Sequence, residues 1–452
     1  MNRAGQRAVV VGAGMGGMSA AAALSPHFQE VVILDRDMLP SLPGSRAGVP
    51  QDRHAHGILA GGLQALEALL PGYQKALADA GAVPVNLFQD FRMERPDVGA
   101  MPRRDCSTTI LCASRPLTET VLRRQVMALA NVGFRSACRV TEIVSDGLQP
   151  AVRYISEQGE NTTIDADLVI DACGRGALTL TLLDQLGWPR PAETVVGVDI
   201  SYTTAVLPWA VNEPRGWKMV VTFAEPPELT STAFLLPAEE GRCYLCLAEH
   251  HASTRPQSWG QLLSVLRRLK TTTVYDAVRD LTPLDELRHF VFDESRWRHF
   301  EQLGKLPLGV LPMADSLCRF NPIYGQGMSA AARQAKLLHD VLCRVGAEED
   351  TIAALQAQFM ADVGAVLQAP WMMGVNADFA YPTTRGERPE HYEENRQFEA
   401  ALFRAAVADP IVHQAFSDVM QLVNPFDLLQ EPDIKRRIDA YAPTDTLNSK
   451  TS

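Results

Sequence analysis

A chain of 452 residues with 46% hydrophobic and 21% charged residues can bury one large core or divide into two or three modules, and its composition is that of a globular protein. The net charge of −11, with no lysine- or arginine-rich tract to offset it, opposes binding to a phosphate backbone and excludes nucleic acid as a partner. The longest apolar runs fall short of the roughly 20 residues of a membrane span, and glycines interrupt the N-terminus before a signal-peptide core forms, so no membrane span and a cytoplasmic location are expected.

In chain order, the first element is "RAVVVGAGMGGMSAAAAL": a β-branched run, then Gly12, Gly14 and Gly17 at G-x-G-x-x-G spacing, then small residues suited to a helix lying close on a sheet. The three glycines serve a tight turn, backbone approach to a pyrophosphate, and helix–strand contact, with the helix N-terminus facing phosphate. A bare match is weak. Here "VVILDRD" supplies a second strand ending in Asp35, where an acid accepts from a ribose hydroxyl and disfavours a 2′-phosphate, so FAD or NAD fits better than NADP. No second such glycine segment follows, so a dedicated nicotinamide domain is not expected.

Farther on, "DADLVIDACGRGALT" reads as a parallel strand, Leu168 to Ile170, ending in Asp171 and followed by Gly174 and Gly176; a plain strand-to-helix turn would look similar. Strand-like runs at 195–208, 217–223, 232–237 and 242–248 predict an antiparallel sheet. Cys243 and Cys246 form a C-x-x-C inside one of these runs with no second pair or histidine cluster nearby, which reads as packed thiols. Eight cysteines in all, Cys106 among them, are too sparse for a disulfide framework, and the sequence offers no metal-ligand set.

Near the end of this part, "GVLPMAD" leads to Asp315, placed to bind a sugar hydroxyl, and Pro322 fixes the chain direction after it. Met328, Ala331, Ala332, Ala335, Leu338 and Leu342 recur at helical spacing, predicting a helix from near Gln326 to Gly346. The N–H groups of Gly325 to Gly327 at its start would stabilise a negative charge, such as that on the pyrimidine side of a reduced flavin. From Ala347 onward the chain reads as helical, interrupted by "APWMMGVNADFAYP".

These segments, in this order, resemble the glutathione-reductase-type FAD domain of the single-component flavoprotein monooxygenases, the group that includes p-hydroxybenzoate hydroxylase. A closer likeness is to the flavin epoxidases of polyether biosynthesis, through "RAGVPQDRHAHG" (46–57), "ASRPLTETVLRRQ" (113–125), "DLVIDACGRG" (167–176) and "FNPIYGQGMSAAAR" (320–333). The resemblance implies an α/β fold. Its parts are a Rossmann FAD domain at 1–85, 106–190 and 286–345, an inserted antiparallel-sheet substrate domain at 86–105 and 191–285, and a C-terminal helical region at 346–452.

It also implies residue roles. Gly12, Gly14, Gly17 and Asp35 bind the ADP half, with Arg36 at the adenosine edge. Arg46, with Val49 on the same loop, lies near the pyrophosphate; Arg115 lies near the ribityl chain or phosphates, and Asp315 on the ribityl hydroxyls. Pro322, Gly325 and Gly327, with Met328 behind them, border the isoalloxazine.

The implied reaction is insertion of one oxygen atom from dioxygen, through a flavin 4a-hydroperoxide, into a hydrophobic small molecule. NADH, NADPH or a separate flavin reductase supplies electrons. Epoxidation is the leading expectation; aromatic hydroxylation and carbon–carbon double-bond reduction of the geranylgeranyl reductase type are the alternatives. The G-W-x-W-x-I-P signature of flavin halogenases is absent. Two departures stand out: Ala314 replaces the usual glycine before Asp315, and Ala177-Leu178-Thr179 replaces a usual polar stretch. No protein residue is assigned a catalytic role, because the flavin carries the chemistry. His54 and His56 are the acid–base candidates and Tyr324 a stacking candidate, each equally readable as a core residue.

Overall fold

The computed structural model describes residues 4–104, 108–145, 149–211, 215–252, 254–346 and 350–442; Cys106 lies outside them. The chain opens with β1 (Gly5–Val11), α1 (Met15–Leu24) and β2 (Phe28–Leu34). Next come α2 (Ala60–Leu69), β3 (Phe91–Arg95), α3 (Arg115–Met127), β4 (Val132–Arg135) and β5 (Leu168–Asp171). Long strands follow: β6 (Glu193–Pro208), β7 (Met219–Thr222), β8 (Ser231–Ala238), β9 (Arg242–His250) and β10 (Arg288–Arg298). After β11 (Val310–Pro312) the chain is mainly helical, with α4 (Gly327–Val345), α5 (Thr351–Asp378), α6 (Tyr392–Ala408) and α7 (Pro410–Met420).

Five strands make a parallel sheet in the order β11-β5-β1-β2-β4. Residues 8–11 of β1 are all buried, without alternation, because both faces of the sheet are covered. Ala8 and Val10 pack in one core with α1 and α4. Val9 and Val11 pack in another with Ile143, Val152, Tyr154 and Ile164 of a three-stranded meander (Arg139–Ser145, Pro150–Ile155, Asn161–Asp165). Small residues let α1 seat closely: a Cβ at Gly17 would lie 1.8 Å from the Gly12 carbonyl oxygen. Glycine is therefore required there.

The second sheet has eight strands, ordered from the short edge strand Cys318–Arg319 through β10, β6, β9, β8, β7 and β3 to Gly99–Ala100. β3 joins parallel to β7, which brings 91–95 into the sheet. Segment 286–298 departs from its expected place beside the cofactor strands. It is β10, paired along β6 from Glu193–Arg298 to Thr204–Arg288, so the inserted sheet extends to residue 298. Cys243 and Cys246 are buried free thiols on β9.

The expected helix at 326–346 is α4. The expected interruption at "APWMMGVNADFAYP" comes only in its second half, because α5 continues through Pro370 and ends at Asp378. Leu367, Pro370, Trp371, Gly374 and Val375 are buried there, so packing holds the helix across the missing N–H donor. By length and composition α5 could cross a membrane, yet Leu355, Phe359 and Val363 belong to the main core beside α4.

Candidate active site

One cavity of about 1210 Å³ runs from the glycine turn after β1, across the eight-stranded sheet, to the C-terminal helices. Pockets for a single small ligand hold roughly 300–1,000 Å³, so this one accommodates a dinucleotide and a further molecule. Gly12, Gly14, Asp35, Arg36, Arg46, Val49, Arg115, Asp315, Pro322, Gly325, Gly327 and Met328 all line it. Of the residues singled out for the cofactor, Gly17 alone does not; it sits beneath the turn, against Gly12.

The turn after β1 is held by charge. Asp35 Oδ2 accepts from the Ala13 N–H at 2.6 Å, and Asp35 Oδ1 from the Asp37 N–H at 2.8 Å, so its carboxylate clips the glycine turn to the end of β2. The Arg46 guanidinium lies 3.3 Å from Asp35, 3.4 Å from Asp37 and 3.1 Å from Glu119, and donates to the Ala13 carbonyl at 3.0 Å. Its side chain is 6% exposed. Burial opposes the Arg46 charge, but Glu119, Asp35 and Asp37 outweigh it and raise the pKa. Burial likewise opposes the Glu119 charge, and Arg115, which sits 2.7 Å away, together with Arg46 holds the carboxyl below the usual range.

Glu119 and Asp37 were not singled out in the sequence. The available signals were the i,i+4 spacing of Arg115 and Glu119 on α3 and the second acid of "DRD".

At the far end of β11 the chain turns sharply. Ala314 takes a left-handed φ of +53°, where the resemblance expects glycine, and its N–H donates to Gln334 Oε1 at 2.9 Å. A Cβ at Gly16 would sit 2.5 Å from the Ala314 Cβ, so Gly16 leaves room for that methyl. Asp315 follows. Burial pushes its carboxyl pKa up, against the opposing pull of Arg319, Arg115, Arg175 and Arg298.

Asn321 Oδ1 accepts from the Ile323 N–H at 3.1 Å and shapes the turn into α4, where Gly325 takes φ +66°. A Cβ added at Gly325 or Gly327 would meet nothing within 4 Å, and one at Gly14 would meet only Arg46 Nη2 at 3.8 Å. Open backbone therefore faces the cavity at both ends. Open N–H groups at a helix start suit a pyrophosphate, and an unobstructed glycine turn suits a flat ring; the residues fit FAD.

The structure adds a cluster that no sequence signal placed at the site. Asp378, at the end of α5 and fully buried, accepts from Asn321 Nδ2 at 2.8 Å and from the Tyr324 hydroxyl at 3.1 Å. His250 Nε2 lies 3.7 Å away, its ring stacked on Tyr381 with 3.9 Å between centroids. Burial pushes the Asp378 pKa up, and His250, Asn321 and Tyr324 pull it back. Tyr324 is thus anchored through its hydroxyl while lining the cavity.

His54 Nδ1 meets Thr204 Oγ1 at 2.8 Å, and burial, then His289 and Arg53, lowers its pKa to about 4. His56 Nδ1 reaches the His54 carbonyl at 2.9 Å, and burial with Arg115 lowers its pKa to about 3. Both are neutral at neutral pH.

The cavity wall beyond the turns is apolar: Tyr202, Phe234, Leu236 and Phe290 from the sheet, and Phe398, Leu402, Phe403 and Phe416 from α6 and α7. Arg95 stands over the Phe403 ring at 3.6 Å and is ion-paired with Asp97 at 3.0 Å and Glu399 at 3.3 Å. Among the described residues no lysine lines the cavity.

A five-stranded parallel sheet covered on both faces, a cleft whose residues fit FAD and a mostly antiparallel second sheet define an FAD-dependent oxidoreductase. Residues 6–350 match the FAD binding domain family. Protein Rv3254 of Mycobacterium tuberculosis (strain ATCC 25618 / H37Rv) is 30% identical over 462 aligned residues, covering 96% of this chain and 93% of that protein.

Among solved structures, a flavoprotein/dehydrogenase from Cytophaga hutchinsonii has a TM-score of 0.67 at 14% identity, covering 97% of this chain and 98% of that one. The p-nitrophenol 4-monooxygenase PnpA from Pseudomonas putida DLL-E4 has a TM-score of 0.64 at 17% identity, covering 93% and 99%. The flavin-dependent brominase Bmp2 has a TM-score of 0.61 at 13% identity, covering 97% and 93%. The chain belongs to the FAD-binding-domain family of flavin-dependent monooxygenases, with the p-hydroxybenzoate hydroxylase type of fold.

Proposed function

We propose that this enzyme inserts one oxygen atom from dioxygen into a hydrophobic, alkene-bearing natural-product intermediate, with epoxidation ahead of aromatic hydroxylation. FAD, when bound and reduced by NADH, NADPH or a separate reductase, supplies the activation of dioxygen. Gly12, Gly14, Asp35 and Arg36 hold the ADP half, and Arg46 and Val49 border the pyrophosphate. Arg115 and Asp315 serve the ribityl chain. Pro322, Gly325, Gly327 and Met328 frame the ring. The sheet and the helices after residue 350 enclose the substrate and keep water from the reacting atoms.

One observation carries the preference for epoxidation: the substrate wall is chiefly apolar, His54 on it is held neutral by burial, and Arg95, Asp97 and Glu399 are paired with one another. Oxygen transfer to a neutral alkene requires no base, whereas a phenol hydroxylase gains from one. His54 Nδ1 is hydrogen-bonded to Thr204, so that nitrogen does not serve as such a base without rearranging. Halogenation is disfavoured by the absence of the tryptophan signature and of any lysine on the described wall.

The test is turnover under labelled dioxygen with a reductant, across alkene and phenol substrates. One labelled atom in an epoxide is expected. A product that gains two hydrogens and no label would replace this reading with double-bond reduction.

A further inference from the structure

At the opposite end of α1 from the glycine turn lies a group of side chains that the oxygenase reading does not use. His27 sits in the turn between α1 and β2, and His339 and Cys343 sit one helical turn apart on α4. His27 Nε2 is 3.1 Å from His339 Nδ1, and Cys343 Sγ is 3.5 Å from His339 Nε2 and 3.9 Å from His27 Nε2. One ring nitrogen from each histidine and the Cys343 sulfur lie within 4.8 Å of one another. We infer that His27, His339 and Cys343 form a binding site for one soft divalent cation of the zinc class.

The spacing supports this on geometric grounds. Zinc bonds of about 2.0–2.1 Å to nitrogen and 2.3 Å to sulfur, set tetrahedrally, put neighbouring ligand atoms about 3.3–3.6 Å apart. The two separations made by His27 Nε2, 3.1 Å to His339 Nδ1 and 3.9 Å to Cys343 Sγ, lie either side of that range, and one nitrogen of each histidine and the sulfur all fall within 4.8 Å. His339 meets His27 through one ring nitrogen and Cys343 through the other, so ligation requires a modest turn of the His339 ring to present a single nitrogen.

The i,i+4 placement on α4 brings His339 and Cys343 to one face, as in helical chelating pairs. The His27–His339 contact needs an unprotonated nitrogen as acceptor, so at least one imidazole lone pair is available. His27 is buried while Cys343 is exposed, which gives the cation an entry side and leaves a fourth position to water.

Donor chemistry narrows the cation. Two imidazoles and a thiolate favour zinc and its softer neighbours over magnesium or calcium, which take oxygen ligands. A bound cation would tie the crossover turn before β2 to α4, the helix whose first residue lines the flavin cavity. None of the three ligands lines that cavity, so the site stands or falls apart from the proposed reaction. The sequence concealed it, because His27 and His339 are separated by 312 positions.

The experiment uses the full-length, FAD-loaded protein after treatment with a chelator. Titration with Co²⁺ should give d–d bands and a thiolate-to-cobalt charge-transfer band that saturate at one equivalent and disappear on adding Zn²⁺. Cys343→Ser, at an exposed position, should abolish the charge-transfer band while leaving the flavin spectrum unchanged. His339→Ala should weaken zinc more than about tenfold in competition with a chromophoric chelator. Absence of a saturating one-equivalent signal in the wild type would overturn the site. Equal zinc affinity in the wild type and both variants would do the same, by showing that bound metal lies elsewhere.

Discussion

The cofactor end of the cavity and its substrate end are built on opposite principles. At the glycine turn, Arg46 and Arg115 interlock with Asp35, Asp37 and Glu119, buried charges each matched by a partner of opposite sign. Across the eight-stranded sheet and α6–α7 the wall is largely aromatic and aliphatic, and the buried carboxylate of Asp378 is met by His250, Asn321 and Tyr324. A doubly charged dinucleotide demands preset polarity at one place, whereas the apolar substrate proposed above needs shape and dryness at another. One chain meets both demands by keeping the two environments in separate sheets.

The sharpest way to break the comparison is at the glycine turn. Gly17→Ala would place a Cβ 1.8 Å from the Gly12 carbonyl oxygen, so α1 must lift from β1. The purified variant should lose its FAD, seen as loss of the flavin absorbance above the protein band. Retention of wild-type FAD content would show that this end tolerates rearrangement.

Next in size is the charge cluster. Arg46→Ala leaves Asp35, Asp37 and Glu119 without their shared partner, and breaking such a buried pairing costs about 3–5 kcal/mol. Arg36 is exposed, and Arg36→Ala should change stability by less than about 0.5 kcal/mol. Denaturant unfolding of both variants decides it. Equal losses would mean that the Arg46 network is not what holds the turn.

A pH series sharpens the contrast, because Glu119 and Asp378 titrate with opposite sign. The Glu119 pKa is lowered in the folded protein, so its stabilisation is complete above the unfolded carboxylate range and is lost as pH falls through the folded value. The Asp378 pKa is raised by burial, so its ionisation costs stability as pH rises from the unfolded toward the folded value, and protonation relieves that cost. Glu119→Gln should therefore flatten the acid-side loss of Tm. Asp378→Asn should remove a loss that develops as pH rises through the upper carboxylate range. Shifts of the same sign in both variants would refute the contrast.

The smallest effect expected is a gain. Ala314→Gly relieves a left-handed alanine, a conformation that costs an L-residue about 1–2 kcal/mol, less the greater unfolded-state freedom of glycine. A net stabilisation of roughly 0.5–1 kcal/mol in denaturant unfolding is expected. A loss instead would show that the methyl, seated over Gly16, contributes packing that outweighs the strain.

Much of the cofactor end was legible because its determinants are local. Gly12, Gly14 and Gly17 act within one strand–turn–helix, Asp35 ends the next strand, and Gly325 and Gly327 open the helix whose period the alanines and leucines announce. Backbone conformation and short-range spacing decide such features, and both are written in consecutive residues. The assignment of 286–298 failed for a different reason. That segment reads as a strand under any topology, and only its pairing along β6 places it in the eight-stranded sheet. Pro370 was misleading in the same way, since a helix breaker by propensity is overruled when Leu367, Trp371 and Val375 are buried around it.

By itself, the sequence determined the glycine turn after β1, the start of α4 and the family to which they belong, because each rests on residue type at fixed short separation. Tertiary structure alone decided which charges meet. It brought Glu119 to Arg46 across 73 positions, and Asp378 to Asn321 across 57, closing the cavity with helices that carry no motif. Coulombic and hydrogen-bond energies depend on distance in space, and that distance is set by how the sheets and helices pack.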